Sequence, residues 1–186
     1  NESTSHALFR KVKELQIEFK NNLPSHWALF ISTLIDLATI VQIKFTGRSI
    51  YKARRNMRAN IASLLQRTCC LTSLTIDYDS SIYNSWTAEN ICSMVPSHIK
   101  HLTVSIKNPD EIKLVLKRLP HLSSAQFRCG HTSSWRKFIE WFEENKAGSR
   151  CRGNAYLMSL WLDKTSVQSI EQKHSNKRIK IDGRSS

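Results

Sequence analysis

The chain has 186 residues, 40% of them hydrophobic and 23% charged, and a formal net charge of +13. This length and composition suit one globular domain with a real core and exclude a fibrous or wholly disordered chain. No run of about 18 uninterrupted apolar residues occurs. The best stretch, Trp27 to Ile43, is broken by Ser32, Thr33, Asp36, Thr39 and Gln42, so no membrane partner is expected.

The five cysteines (Cys69, Cys70, Cys92, Cys129, Cys151) are odd in number and too sparse for a disulfide framework. They suit a reducing compartment, the cytoplasm or the nucleus. A start at Asn1, without initiator methionine or charged-then-apolar leader, points to a piece of a longer protein. The positive charge is concentrated: Arg48 to Arg67 holds six basic residues and no acid, and Lys164 to Ser186 holds six against Glu171 and Asp182.

In chain order, apolar residues at relative positions one, four and six mark six short strands. They are Val12-Leu15-Ile17, Ile40-Ile43-Phe45, Leu71-Leu74-Ile76, Ile99-Leu102-Val104, Leu122-Ala125-Phe127 and Leu157-Leu160-Leu162, and three extend to Phe19, Tyr78 and Ile106. Polar residues fill the alternate places, as expected of strands buried on one face. Successive first positions are 28, 31, 28, 23 and 35 residues apart, room for one helix between each pair of parallel strands.

The first interval holds an apolar helix candidate at about 26–37, and the second an amphipathic one from Ile50 to Gln66. That second helix sets Ala53, Met57, Ile61 and Leu64 against a basic patch of Arg54, Arg55 and Arg58. A weaker candidate spans 87–95. Asn108-Pro109-Asp110-Glu111 then offers an N-cap, a proline at the first helical position and first-turn acids ahead of Ile112, Val115, Leu116 and Leu119. Ser133 or Ser134 caps a further helix with the stripe Trp135, Phe138, Ile139 and Phe142, ended by Gly148. The polar, basic stretch 166–186 reads as a disordered tail behind a domain of residues 1–165.

The form L-x-x-L-x-[L/I/V], clearest in Leu71 to Ile76, Ile99 to Val104 and Leu157 to Leu162, resembles the irregular repeats of F-box and leucine-rich-repeat proteins. The family's Asn or Cys, three residues after the sixth position, is replaced here by Lys20, Arg48, Asp79, Lys107, Gly130 and Thr165. The resemblance implies an α/β fold, a leucine-rich-repeat-like right-handed strand–helix solenoid with a parallel sheet and irregular repeats. It also implies substrate recognition within a ubiquitin-ligase complex, with the adaptor as partner only if an F-box lies upstream. An ordinary open α/β domain is the alternative fold.

In such a solenoid the outward strand residues bind another macromolecule. The first strands contribute Glu14, Gln16, Glu18, Gln42 and Lys44, and the next Ser73, Thr75, Asp77, His101 and Thr103. The last contribute Ser123, Gln126, Arg128, Ser159, Trp161 and Asp163. Trp161 stands out, because a large outward aromatic is a common interface anchor. Arginine forks at Arg54, Arg55 and Arg58 suit phosphates and keep open a basic, nuclear, nucleic-acid-associated domain. Lys177, Arg178 and Lys180 match a short nuclear-localisation signal.

His98, His101, Cys129 and His131 lack the compact spacing of a structural zinc site, and Cys69-Cys70 is expected to end a helix and pack. None of G-x-S-x-G, G-x-x-x-x-G-K-[S/T], G-x-G-x-x-G or H-E-x-x-H occurs. The expectation is therefore a monomeric protein-binding module, not an enzyme, without catalytic residue, metal or cofactor.

Overall fold

A computed structural model describes residues 7–19, 26–48, 54–79, 87–106, 108–129, 135–154 and 156–163. Seven strands form one mostly parallel sheet: β1 (Glu14–Phe19), β2 (Gln42–Arg48), β3 (Ser73–Asp79), β4 (His101–Ser105), β5 (Ser124–Arg128), β6 (Arg150–Gly153) and β7 (Leu157–Trp161). The helices are α1 (Trp27–Leu34), α2 (Arg54–Gln66), α3 (Ala88–Met94), α4 (Pro109–Arg118) and α5 (Trp135–Asn145). Strand order across the sheet is β1-β2-β3-β4-β5-β7-β6.

The first five strands are parallel neighbours in chain order, and their register steps by 28, 31, 28 and 23 residues. These are the intervals of the leucine-type pattern, so the register of β1 to β5 follows the hydrophobic spacing. One detail recurs at each step. A carbonyl just ahead of one strand accepts two consecutive N–H groups of the next: Lys13 from Val41 and Gln42, Val41 from Thr72 and Ser73, Thr72 from Lys100 and His101, and Lys100 from Ser123 and Ser124.

The sixth segment departs from expectation. β7 lies beside β5 but antiparallel to it, with Ser124 opposite Trp161 and Arg128 opposite Leu157. The chain leaves α5 through Gly148, at φ 79°, and enters the four-residue β6, which the leucine pattern does not mark. β6 then turns back into β7, which fills the place between β6 and β5. The segment Leu157–Leu162 consequently turns Met158 and Leu160 to the core and Leu157 to the opposite face.

Among the described residues, helices close only one face of the sheet. Ile17, Phe19, Ile43, Phe45, Leu74, Ile76, Leu102, Val104, Ala125, Phe127, Met158 and Leu160 join Ile61, Leu64, Leu65, Ile91, Ile112, Val115, Leu116, Phe138 and Phe142 of the helices in one continuous core. Each fully buried side chain of this size contributes about 1.5–3 kcal/mol. Consecutive helices are also tied by single polar links. Arg67 of the α2 end donates to Ser32 of α1 at 2.6 Å, Arg58 of α2 to Asn90 of α3 at 3.0 Å, and Ala88 N–H of α3 to Glu111 of α4 at 2.7 Å. Lys113 of α4 stands 5.4 Å from the Trp141 ring of α5. Such surface links are worth about 0–1 kcal/mol each, so apolar burial holds the stack and the links tune it.

Helix starts follow the sequence where capping chemistry was visible. Asn108 accepts from Asp110 N–H at 2.9 Å, with Pro109 next in the first turn, and Thr87 accepts from Asn90 N–H at 3.3 Å. The helix expected over Ile50 to Gln66 runs from Arg54, residues 49–53 lying outside the described ones, as do Ser133 and Ser134. Cys69 and Cys70 do not pack as expected: both are exposed beyond the end of α2.

The candidate binding face

The uncovered face is ordered by sheet register into transverse rows. Glu14, Gln42, Ser73, His101, Ser124, Trp161 and Arg150 form one row across the seven strands. Gln16, Lys44, Thr75, Thr103, Gln126, Ser159 and Arg152 form the next, two residues along each strand. Glu18, Thr46 and Asp77 begin a third, which Ser105 and Arg128 continue. Of the outward residues expected from sequence, all but Ser123 and Asp163 thus stand in these rows.

Ser123 lies ahead of β5, where its carbonyl accepts from Leu162 N–H at 2.9 Å, and Ser124 takes the place in the row. Asp163 follows β7; its N–H donates to Ser149 Oγ at 2.9 Å. A Cβ on Gly148 would lie 2.8 Å from an Asp163 carboxylate oxygen, which ties glycine at this turn to both its positive φ and this close approach.

Two contacts fix side chains on the face. His101 Nδ1 meets Ser124 Oγ at 2.9 Å across β4 and β5. Arg128 of β5 reaches over β4 to form a charge-assisted hydrogen bond with Asp77 of β3. Ser105, opposite Arg128 on β4, is only 2% exposed although it belongs to the open face. Sequence reading missed Ser105, because alternation assigns a face and does not foretell burial on it.

Trp161 is 49% exposed at the β7 position of the first row, with Arg150 directly opposite it on β6. Arg150 and Arg152 were also missed, since a four-residue edge strand carries too few alternations to register as one. The arginines expected to form a helical basic patch all stand on α2. Arg58 bonds Asn90, and the Arg54 and Arg55 side chains lie outside the described residues, as do Lys177, Arg178 and Lys180.

Among the described residues no three His, Cys, Asp or Glu side chains gather as a metal site. His98 instead meets the Thr68 carbonyl at 3.2 Å. Burial raises the pKa of Cys92 and Cys151, and the hydrogen bond of the Cys70 thiol with Cys69 raises that of Cys70, each favouring the less nucleophilic protonated form. Among the described residues no helix is long and apolar enough to cross a membrane. No protein-family model matches the chain, and no curated protein matches it.

Proposed function

We propose that the chain is a protein-interaction module, a degenerate leucine-rich-repeat-like strand–helix solenoid that presents substrate to an F-box-type ubiquitin ligase through its open sheet face. The observation that carries this reading is the arrangement of β1 to β5, parallel and in chain order, with one face closed by helices and the other left polar. Stacked units of this kind offer an extended surface with rigid backbone support, suited to a macromolecule more than to a small ligand. The hydroxyls and amides of Thr46, Thr75, Thr103, Gln126 and Ser159 supply adaptable hydrogen bonds, and Trp161 supplies a large anchor. Binding rather than catalysis also accords with the lack of nucleophile-elbow, phosphate-loop or metalloprotease motifs.

The test is capture of the protein, expressed from its full reading frame, with the adaptor subunit of a cullin-type ligase. No adaptor in the complex removes the ubiquitin role. Thr75→Arg with Thr103→Arg, in the middle of the face, should release the bound substrate while the adaptor stays; retention of the substrate would remove the face as binding surface.

A further inference from the structure

The exposed edges of the open face carry opposite charge, with Lys44 of β2 standing next to the β1 edge. The β1 edge carries Glu14 and Glu18, while the β6 edge carries Arg150 and Arg152 in the same rows. Six strand steps of about 4.8 Å separate these edges, roughly 29 Å, whereas charges are screened within about 8 Å at physiological salt. The two ends therefore act as independent electrostatic sites. Between them the face neutralises its own central acid, because Asp77 is bound to Arg128.

At the basic end the guanidinium groups are available. Arg150 and Arg152 are both exposed, and neither side chain has an ion-pair or hydrogen-bond partner among the described residues. Trp161 lies between them and the rest of the sheet, opposite Arg150 and half exposed. The acid at this end, Asp163, sits against the Gly148 turn. The stretch from Lys164 onward has six basic residues and two acids, so its charge does not complement the arginines.

The geometry points to this end as the docking site for an extended acidic peptide segment of a partner protein, with an apolar residue resting on the Trp161 indole. This rests on the face being a protein-binding surface and names the chemistry of what binds there. Spacing supports it. Arg150 and Arg152 are two residues apart on one strand, about 6.8 Å, and an extended peptide repeats its own side chains at the same interval. Carboxylates at positions i and i+2 therefore match the two guanidinium groups in register, and each arginine can donate two hydrogen bonds to its carboxylate.

Short labelled peptides carrying Leu-Ser-Glu-Ser-Glu, Leu-Ser-Gln-Ser-Gln or Leu-Ser-Lys-Ser-Lys in a Gly-Ser background, which set the leucine and both flanking groups on one side of an extended chain, can be titrated against the full chain by fluorescence anisotropy. The Glu peptide should bind about tenfold more tightly than its Gln counterpart, and less so as salt rises. Arg150→Glu with Arg152→Glu should invert the preference towards the Lys peptide, an outcome that misfolding cannot imitate. Trp161→Ala should weaken the Glu peptide about tenfold without changing the order of preference. Glu14→Lys with Glu18→Lys should change nothing. Equal affinity for Glu and Gln peptides, no binding of either, or an unchanged preference in the arginine charge swap would overturn the inference. The central substitutions at Thr75 and Thr103 lie at least three strands from β6, so they test the face itself separately from this end.

Discussion

At the β1 edge the sheet stops on a six-residue parallel strand, and Leu8, Phe9, Leu29 and Phe30 beside it are 73%, 57%, 60% and 65% exposed. At the opposite edge a hairpin reverses the chain, and β6 ends the sheet with four residues, two of them arginine and one glycine. Both edges have aromatic packing inside. Phe19, Trp27 and Phe45 stack with centroids 5.6–6.2 Å apart, and Phe138 meets Trp135, Trp141 and Phe142 at 5.9–6.0 Å. The difference lies outside the core. A short, charged edge resists pairing with another chain, whereas a longer strand flanked by exposed apolar side chains invites contact.

The comparison can be broken first through the core. Phe127→Ala, at the boundary of parallel and antiparallel strands, should cost about 3–5 kcal/mol in urea unfolding. Phe45→Ala, at the β1 end, should cost the same if both ends belong to one cooperative core; a markedly smaller loss would mean that the β1 end opens on its own. Gly47→Ala comes next. A Cβ there would lie 2.5 Å from the Phe19 carbonyl oxygen, so β1 must move off β2, at about 1–3 kcal/mol, read as faster hydrogen exchange in β1 than in β5. Asn108→Ala removes the α4 cap and should cost about 1 kcal/mol in the middle of the stack. The smallest effect sharpens the contrast in edges: Leu29→Ser with Phe30→Ser should change stability by less than about 0.5 kcal/mol while reducing self-association in light scattering.

Much of the parallel region could be read beforehand because each local signal agreed with its neighbours. The intervals from Val12 to Leu122 gave the register of β1 to β5, and Asn108, Pro109 and Gly148 marked helix ends through chemistry that acts over a few residues. Strand direction did not follow from that pattern. Leu157 to Leu162 carries the same apolar spacing as the others, yet alternation only assigns faces and serves either direction equally. The direction depends on how the chain returns from α5, and β6 was too short to reveal it. The face residues from Gln16 to Trp161 followed from alternation, while the burial of Ser105 on that face did not.

Among the described residues each strand pairs with its sheet neighbours, and each helix lies beside the helices next to it in the chain while its apolar face packs on the sheet. On the proposed solenoid reading, connectivity of this kind is close to one-dimensional, and stability is passed along the row link by link. A unit could be duplicated or lost between two others with only two junctions to mend. The unequal intervals of 28, 31, 28 and 23 residues show how much each link can vary in length while the shared-carbonyl junction stays the same.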